Sequence, residues 1–360
     1  MSIVSQKVNL QKVAYIVLIL IGVVTMLVYS EEYIVPFILA LIVWFIIHEL
    51  RENIQQIPWM KKNCPMWLQS AIAFAVINIV LFIFFELLFM SMSSLMKGID
   101  KYEVNLTRTL NDINTLAGMD ITSQIYEFVQ KMDIAALASQ LADSLSSLLG
   151  DAFLILIYVL FLLIEESVFP YKLKALYPAE KQQKKIIQLT HKMDHSISRY
   201  LTLKTIVSLI TGALSYFVLL LFDIDAPIFW SLLIFILNYI PTIGSLIATL
   251  FPAAFAVVQF GEIAPFLYIL IAVGFIQVLV GNVIEPKMMG NSLNISSLVV
   301  ILSLTIWGAI WGVMGMMLSV PITVMMIVVF EEIPAMRPVA ILLSEKGNLN
   351  VLKDEDEESN

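Results

Sequence analysis

Two long apolar stretches of this chain are broken at their centres. The first break reads Asn-Tyr-Ile-Pro-Thr-Ile-Gly-Ser, Asn238 to Ser245. The second reads Trp-Gly-Ala-Ile-Trp-Gly-Val-Met-Gly, Trp307 to Gly315, with Pro321 close behind. In hydrocarbon a helix is interrupted only where the freed N–H and C=O groups line a cavity or meet protein. Paired broken segments point to the solute site of a transporter. The membrane setting follows from composition. The chain is 59% hydrophobic and only 14% charged, against about 25% charged in a soluble domain. That much apolar surface needs lipid as its solvent.

Apolar stretches of spanning length run at 13–29, 33–48, 68–90, 150–169, 201–222 and 265–283. Two longer regions, 226–259 and 296–330, carry the breaks, and each is long enough to enter and leave on one side. The expected fold is an all-α integral membrane protein with about six full transmembrane helices, two Gly/Pro-broken hairpins and an extracytoplasmic amphipathic segment. The organisation is expected to be 1–94 amino-terminal scaffold helices, 95–149 extracytoplasmic helices, 150–200 a membrane helix and a cytoplasmic amphipathic helix, 201–335 the hairpin-containing transport domain, and 336–360 an acidic tail. The first stretch ends in Ser30-Glu31-Glu32 with no small-x-small cleavage site, so it is expected to be retained. The single Cys64 excludes an intrachain disulfide.

Basic residues set the orientation. Lys7, Lys12, Arg51, Lys61, Lys62 and the lysines from 172 to 204 fall on one side if both termini are cytoplasmic, while the alternate connections are acidic. In 95–149, Ile99, Tyr102, Leu106, Leu110 and Ile113, then Phe128, Met132, Leu137, Leu141, Leu145 and Leu148, recur at helical spacing. These helices are expected either to pack on each other or against neighbouring subunits, and to extend the third and fourth membrane helices. In 180–200, Ile186, Leu189, Met193, Ile197 and Tyr200 form an apolar face opposite Lys184, His191, His195 and Arg199. It is expected to lie on the inner membrane surface.

Few motifs point to chemistry. His191 and His195 have a chelating spacing without a third ligand, so a solvated face is expected and no metal. No phosphate-binding loop, zinc-protease motif or nucleophile elbow occurs, so neither an enzyme nor a cofactor is expected. The chain shows no nucleic-acid signature. The two broken regions match in layout: polar residues (Asp223 and Asp225; Asn291, Asn294 and Ser296), an apolar run, the break, and a second run containing Pro252 or Pro321. They read as an inverted repeat of about 60–70 residues, each copy a helix plus a hairpin. Between them lies Gly281 to Gly290, Gly-Asn-Val-Ile-Glu-Pro-Lys-Met-Met-Gly. Its Glu285 and Lys287 either face a cavity or form an exposed cytoplasmic pair. Gln277 and Asn282 are amides at the end of an apolar helix, and Glu86 falls near the outer interface of the third segment.

Taken together, N-Y-I-P-x-I-G-S, G-N-x-I-E-P-K-x-M-G and W-G-x-x-W-G-x-x-G-M-x-x-x-V-P resemble the autoinducer-2 exporter family over roughly 195–330. The resemblance implies a bacterial inner-membrane transporter, an elevator-like homopentamer and export of a small polar furanone-type signal; some relatives are assigned sodium(lithium)/proton antiport. It marks Asn238, Tyr239, Pro241, Gly244, Glu285, Pro286, Gly290, Trp307, Gly312 and Pro321. Asn294-Ile-Ser-Ser departs from the family's Gly-Leu-Ser-Pro. The expected function is export of a small polar solute held between two hairpins meeting near the midplane, with Asn238, Gln277 and Asn282 as side-chain donors and acceptors. An antiporter using Glu285 and a membrane scaffold are the alternatives.

Overall fold

Proline and glycine set most of the helix ends. In a computed structural model, which describes residues 10–117, 134–177, 179–289 and 294–347, the chain is helical with no strand among the described residues. The amino-terminal half comprises α1 (Leu10–Tyr29), α2 (Glu31–Gln55), α3 (Pro58–Asn63), α4 (Met66–Lys97), α5 (Ile99–Ala117) and α6 (Ile134–Leu176). The other half comprises α7 (Glu180–Leu221), α8 (Pro227–Leu237), α9 (Ile243–Phe260), α10 (Ala264–Leu279), a π-helical turn (Val280–Ile284), α11 (Glu285–Met289), α12 (Ser297–Glu332) and α13 (Arg337–Leu343). Pro58 and Pro227 open α3 and α8, where a missing N–H costs nothing. Gly261, at φ +72°, closes α9 in the left-handed conformation. Seven of the described helices are long and apolar enough to cross a membrane.

Burial separates centre from periphery. In the most apolar window of α12, 56% of residues are buried, against 11% in α4 and 6% in α6. The broken helix α12 is therefore the most enclosed of these, while α4 and α6 keep exposed apolar faces.

The hairpins have their open ends at opposite ends of α7. The first hairpin is α8 and α9; it follows directly on the Leu221 end of α7. The second is α12, one continuous run that folds back at Trp311 (φ −129°, ψ 23°) and Gly312 (φ +57°, ψ −138°). Glu331, at its open end, pairs with Lys192 near the start of α7 at 2.5 Å. This is the inverted arrangement that the matching breaks predict. The two hairpins meet along their flanks: Leu304, Met316 and Met317 join the apolar cluster of the first hairpin.

Two other expectations change. The apolar face of 180–200 does not lie on a membrane surface. It continues into the fifth membrane segment as α7, and Leu189, Met193, Ile197 and Tyr200 pack with Val320, Val324 and Val328 of α12. Protein burial of that face outcompetes the interface because α12 supplies a matching apolar surface and Glu331 and Glu332 pair with Lys192 and Lys185. In the 95–149 segment, α5 packs chiefly on α9 of the first hairpin. Tyr102 donates to Asp225 Oδ2 at 2.9 Å, and Asn105 Nδ2 to the Gln259 carbonyl at 2.5 Å. Gln259 then closes the loop, accepting from Asp225 N and donating to Asp223 O. Burial first, then the hydrogen bond to Asp225, raises the Tyr102 phenol above its ordinary range, so it remains a donor. The second helix of this segment is the extension of the fourth membrane segment, as expected, because α6 is continuous from Ile134. Phe128 and Met132 lie outside the described residues.

A charged hub ties the scaffold together. Arg51 of α2, 3% exposed, bonds Glu166 of α6 at 2.6 Å, His48 Nδ1 at 2.6 Å and Ser70 of α4 at 3.0 Å. Trp44 donates to the other Glu166 oxygen, and Asp194 of α7 lies 3.2 Å from His48 Nε2.

Candidate functional site

The apolar helix α7 buries a polar file. Lys204, Ser208, Thr211 and Ser215 are buried at the i, i+4, i+7, i+11 positions that share one helix face. Gly212 on the same face lets α8 approach closely: a Cβ there would stand 3.0 Å from the Ser231 carbonyl. The end of α8 meets the inner part of this file. Asn238 Nδ2 donates to Ser208 Oγ at 3.0 Å, and the Tyr239 and Thr205 hydroxyls are 2.6 Å apart. Lys204 Nζ lies 2.5 Å from Glu285 Oε1. Tyr200, one turn before Lys204 and 3% exposed, lies within electrostatic reach of both Glu285 and Tyr239. Of the residues the sequence singles out, Asn238, Tyr239 and Glu285 thus converge on one stretch of α7.

The first tip is strained. Ile243 N bonds the Pro241 carbonyl at 2.6 Å across Thr242, whose φ of +61° and ψ of −58° are those of the rare γ-turn. A β-branched residue there is an outlier costing about 1–3 kcal/mol. Pro241 is half-buried and Thr242 exposed. Thr242→Gly is expected to raise stability by about 1 kcal/mol, the strain relieved less the entropy of glycine. Thermal unfolding in detergent checks this, and a lowered midpoint would show that the threonine side chain contributes more than the turn costs.

Each tip seats a glycine against a carbonyl of the facing arm. A Cβ on Gly244 would overlap the Leu237 carbonyl, and one on Gly315 the Trp307 carbonyl. Gly312 is different: it has open space, but φ +57° with ψ −138° is a conformation that glycine alone adopts readily. The Trp307 and Trp311 rings lie with centroids 4.9 Å apart, tilted by 35°, and Trp311 Nε1 donates to the Leu27 carbonyl of α1 at 3.0 Å. The second tip therefore engages α1, away from the Glu285 cluster. Below it, Ser303 Oγ stands 3.0 Å from Ser319 O and 2.5 Å from Thr323 Oγ1, joining the arms where the buried Pro321 withdraws an N–H.

The remaining candidates divide. Gln277 on α10 is buried, and its Nε2 has no hydrogen-bond partner. Gly274, one turn earlier, faces Thr249 of α9. Because α9 and α10 are consecutive and packed together, Gln277 is carried one turn toward the first tip. An unsatisfied buried amide costs about 1–3 kcal/mol and calls for an explanation. Asn282, Pro286 and Lys287 are exposed. Of the two alternatives for Glu285, the exposed pair with Lys287 is not formed, because the π-helical turn aims Glu285 at Lys204 of α7 instead. Gly290 and Asn291 lie outside the described residues. His191, His195 and Glu86 are exposed.

Sequence reasoning misses Lys204, Thr205, Ser208 and Thr242. The signal for the first three is the helical spacing of polar residues inside an apolar run. Lys204 is hidden by its neighbourhood of lysines in the preceding sequence.

Residues 15–335 match the sequence profile described as AI-2E family transporter. The chain is 32% identical over 321 residues to the AI-2 transport protein TqsA of Escherichia coli (strain K12), covering 88% of this chain and 91% of that protein. It is 29% identical over 344 residues to a Haemophilus influenzae protein, covering 92% and 95%, and 30% identical over 346 residues to Escherichia coli YhhT, covering 93% of each. The last two carry transport-protein names without a substrate.

Proposed function

This chain is a member of the AI-2E transporter family, and we propose that it exports a small polar solute of the autoinducer-2 type across the bacterial inner membrane. The observation that carries the reading is the first tip: a strained turn, a glycine packed on a carbonyl, hydroxyl and amide groups from α7 and α8, and the unsatisfied Gln277 amide one turn away. Such groups suit a neutral, hydroxyl-rich solute, which needs donors and acceptors rather than a fixed charge. The name of TqsA supports the solute class. Alternating access follows if the hairpin half moves against the amino-terminal helices in the manner of an elevator, with several copies, a pentamer by resemblance, joined through the apolar faces of α4 and α6.

Proteoliposomes loaded with a labelled autoinducer-2-type furanone are expected to release it faster than empty-vector liposomes, and unlabelled furanone to compete. Release no faster than the protein-free leak would exclude this solute class.

The orientation in this reading places both termini and 170–200 in the cytoplasm and 95–149 outside, as the lysine asymmetry requires. On a Cys64→Ser background, a cysteine replacing Lys185 is expected to resist an impermeant thiol reagent in intact cells and to react after permeabilisation. Labelling in intact cells would reverse the topology.

A further inference from the structure

We propose that Lys204 is the fixed counter-cation of Glu285, and that the pair keeps this carboxylate charged throughout the cycle, so that solute movement carries no proton on Glu285. The inference takes its functional meaning from the export reading; its structural core is the pairing.

The pairing is built, not incidental. Glu285 follows a π-helical turn, Val280–Ile284. One extra residue in a helix rotates everything after it by about 100°, one part in 3.6 of a turn. That rotation brings Glu285 round to Lys204, at 2.5 Å, while Lys287 remains exposed. The side chains are 6% and 23% exposed for Lys204 and Glu285, so water screens the pair poorly. Protonating Glu285 would strand a buried ammonium, and deprotonating Lys204 would strand a carboxylate.

The other titratable groups described on the neighbouring elements have their own surroundings. From α7, Tyr200 lies within electrostatic reach of Glu285, and from the first tip Tyr239 lies within reach of Tyr200 and bonds Thr205. Neither α8 nor α9 carries a titratable side chain, and the one on α10, Tyr268, stacks on Phe222 far from this site. On α12, Glu331 and Glu332 are paired with Lys192 and Lys185. On α2, Arg51 pairs with Glu166, and His48 lies beside Glu52, Glu166 and Asp194. A cation-exchanging carboxylate needs to release its cation, whereas this one has a covalently tethered ammonium in the cation position. Lys204 is accordingly a coupling-determining residue: removing it leaves the half-buried Glu285 without its counter-charge, and the carboxylate becomes a proton carrier.

Two measurements on the full chain test this. Infrared difference spectra of the detergent-solubilised protein, with Glu285→Gln identifying the band, report the protonation of Glu285 without any solute. The unmodified protein is expected to show an ionised carboxylate from pH 6 to 8, and Lys204→Met a protonated carboxyl band titrating within that range. A protonated band in the unmodified protein at pH 7 overturns the proposal, even if Lys204→Met fails to fold. So does an unchanged, ionised band in Lys204→Met. In proteoliposomes with an internal pH dye, furanone flux is expected to vary less than about twofold from pH 6 to 8. It should change by about tenfold per unit of pH across the titration in Lys204→Met, and become flat again in Lys204→Met/Glu285→Gln. Proton movement by the unmodified protein that Glu285→Gln abolishes also overturns the proposal. Absence of furanone flux in every variant rejects the export reading alone, since the infrared result decides the pairing.

Discussion

Gly244→Leu is expected to reduce transport to background while the protein still inserts and assembles. Gly244 is the first buried position of α9 after the turn, and any Cβ there would collide with the Leu237 carbonyl at the end of α8. The obstacle is backbone, so no rotamer change relieves it. The arms must part at the tip, and the contacts that follow from their closeness go with them: Asn238 to Ser208, and Tyr239 to Thr205. Elsewhere, forcing extra methylenes into a packed site costs about 1–3 kcal/mol, which a bundle of this size tolerates. The insertion machinery reads hydrophobicity, and leucine raises it. Flux in proteoliposomes, beside the yield and size-exclusion profile of the purified variant, separates the two effects. Flux near that of the unmodified protein would mean that the first break is a tolerated kink with no part in transport. Gly315→Leu is expected to act in the same way at the second tip, where the Trp307 carbonyl stands in the Leu237 carbonyl's place.

Arg51→Met is expected to be the most destabilising single change in the amino-terminal half, by about 3–5 kcal/mol, the cost of breaking a buried ion pair by removing one partner. The guanidinium joins three helices at once: α2 by its own backbone, α6 through Glu166 and α4 through Ser70. Methionine preserves the stem but leaves Glu166 with Trp44 and His48 as its remaining polar contacts. Glu166→Gln in the same chain removes the stranded charge and is expected to restore part of the loss, a non-additive pair. Thermal unfolding in detergent for both single variants and the double variant measures the coupling. Additive losses would show that Arg51 and Glu166 stabilise the bundle independently.

Much of this molecule was determined by the sequence alone. Hydrocarbon cannot solvate a broken backbone, so the apolar runs, their lengths and the matching breaks at Pro241–Gly244 and Trp307–Gly315 dictate spanning helices and two hairpins. The motifs around them identify the family. Such features are local: they depend on residues near in sequence and on the solvent that a composition demands. What tertiary structure alone decided is which polar groups meet. Lys204 reads as one more cytoplasmic lysine until α7 is seen to bury it and the π-helical turn to swing Glu285 toward it, away from Lys287, its neighbour in sequence. The apolar face of 180–200 fits lipid and protein equally well by periodicity, and only the presence of α12 alongside it decides for protein. The strain at Thr242 has no sequence signal, because nothing about threonine predicts a positive φ. A one-residue rotation or a choice between two apolar surfaces turns on small differences among distant contacts, and those contacts exist only once the helices have packed.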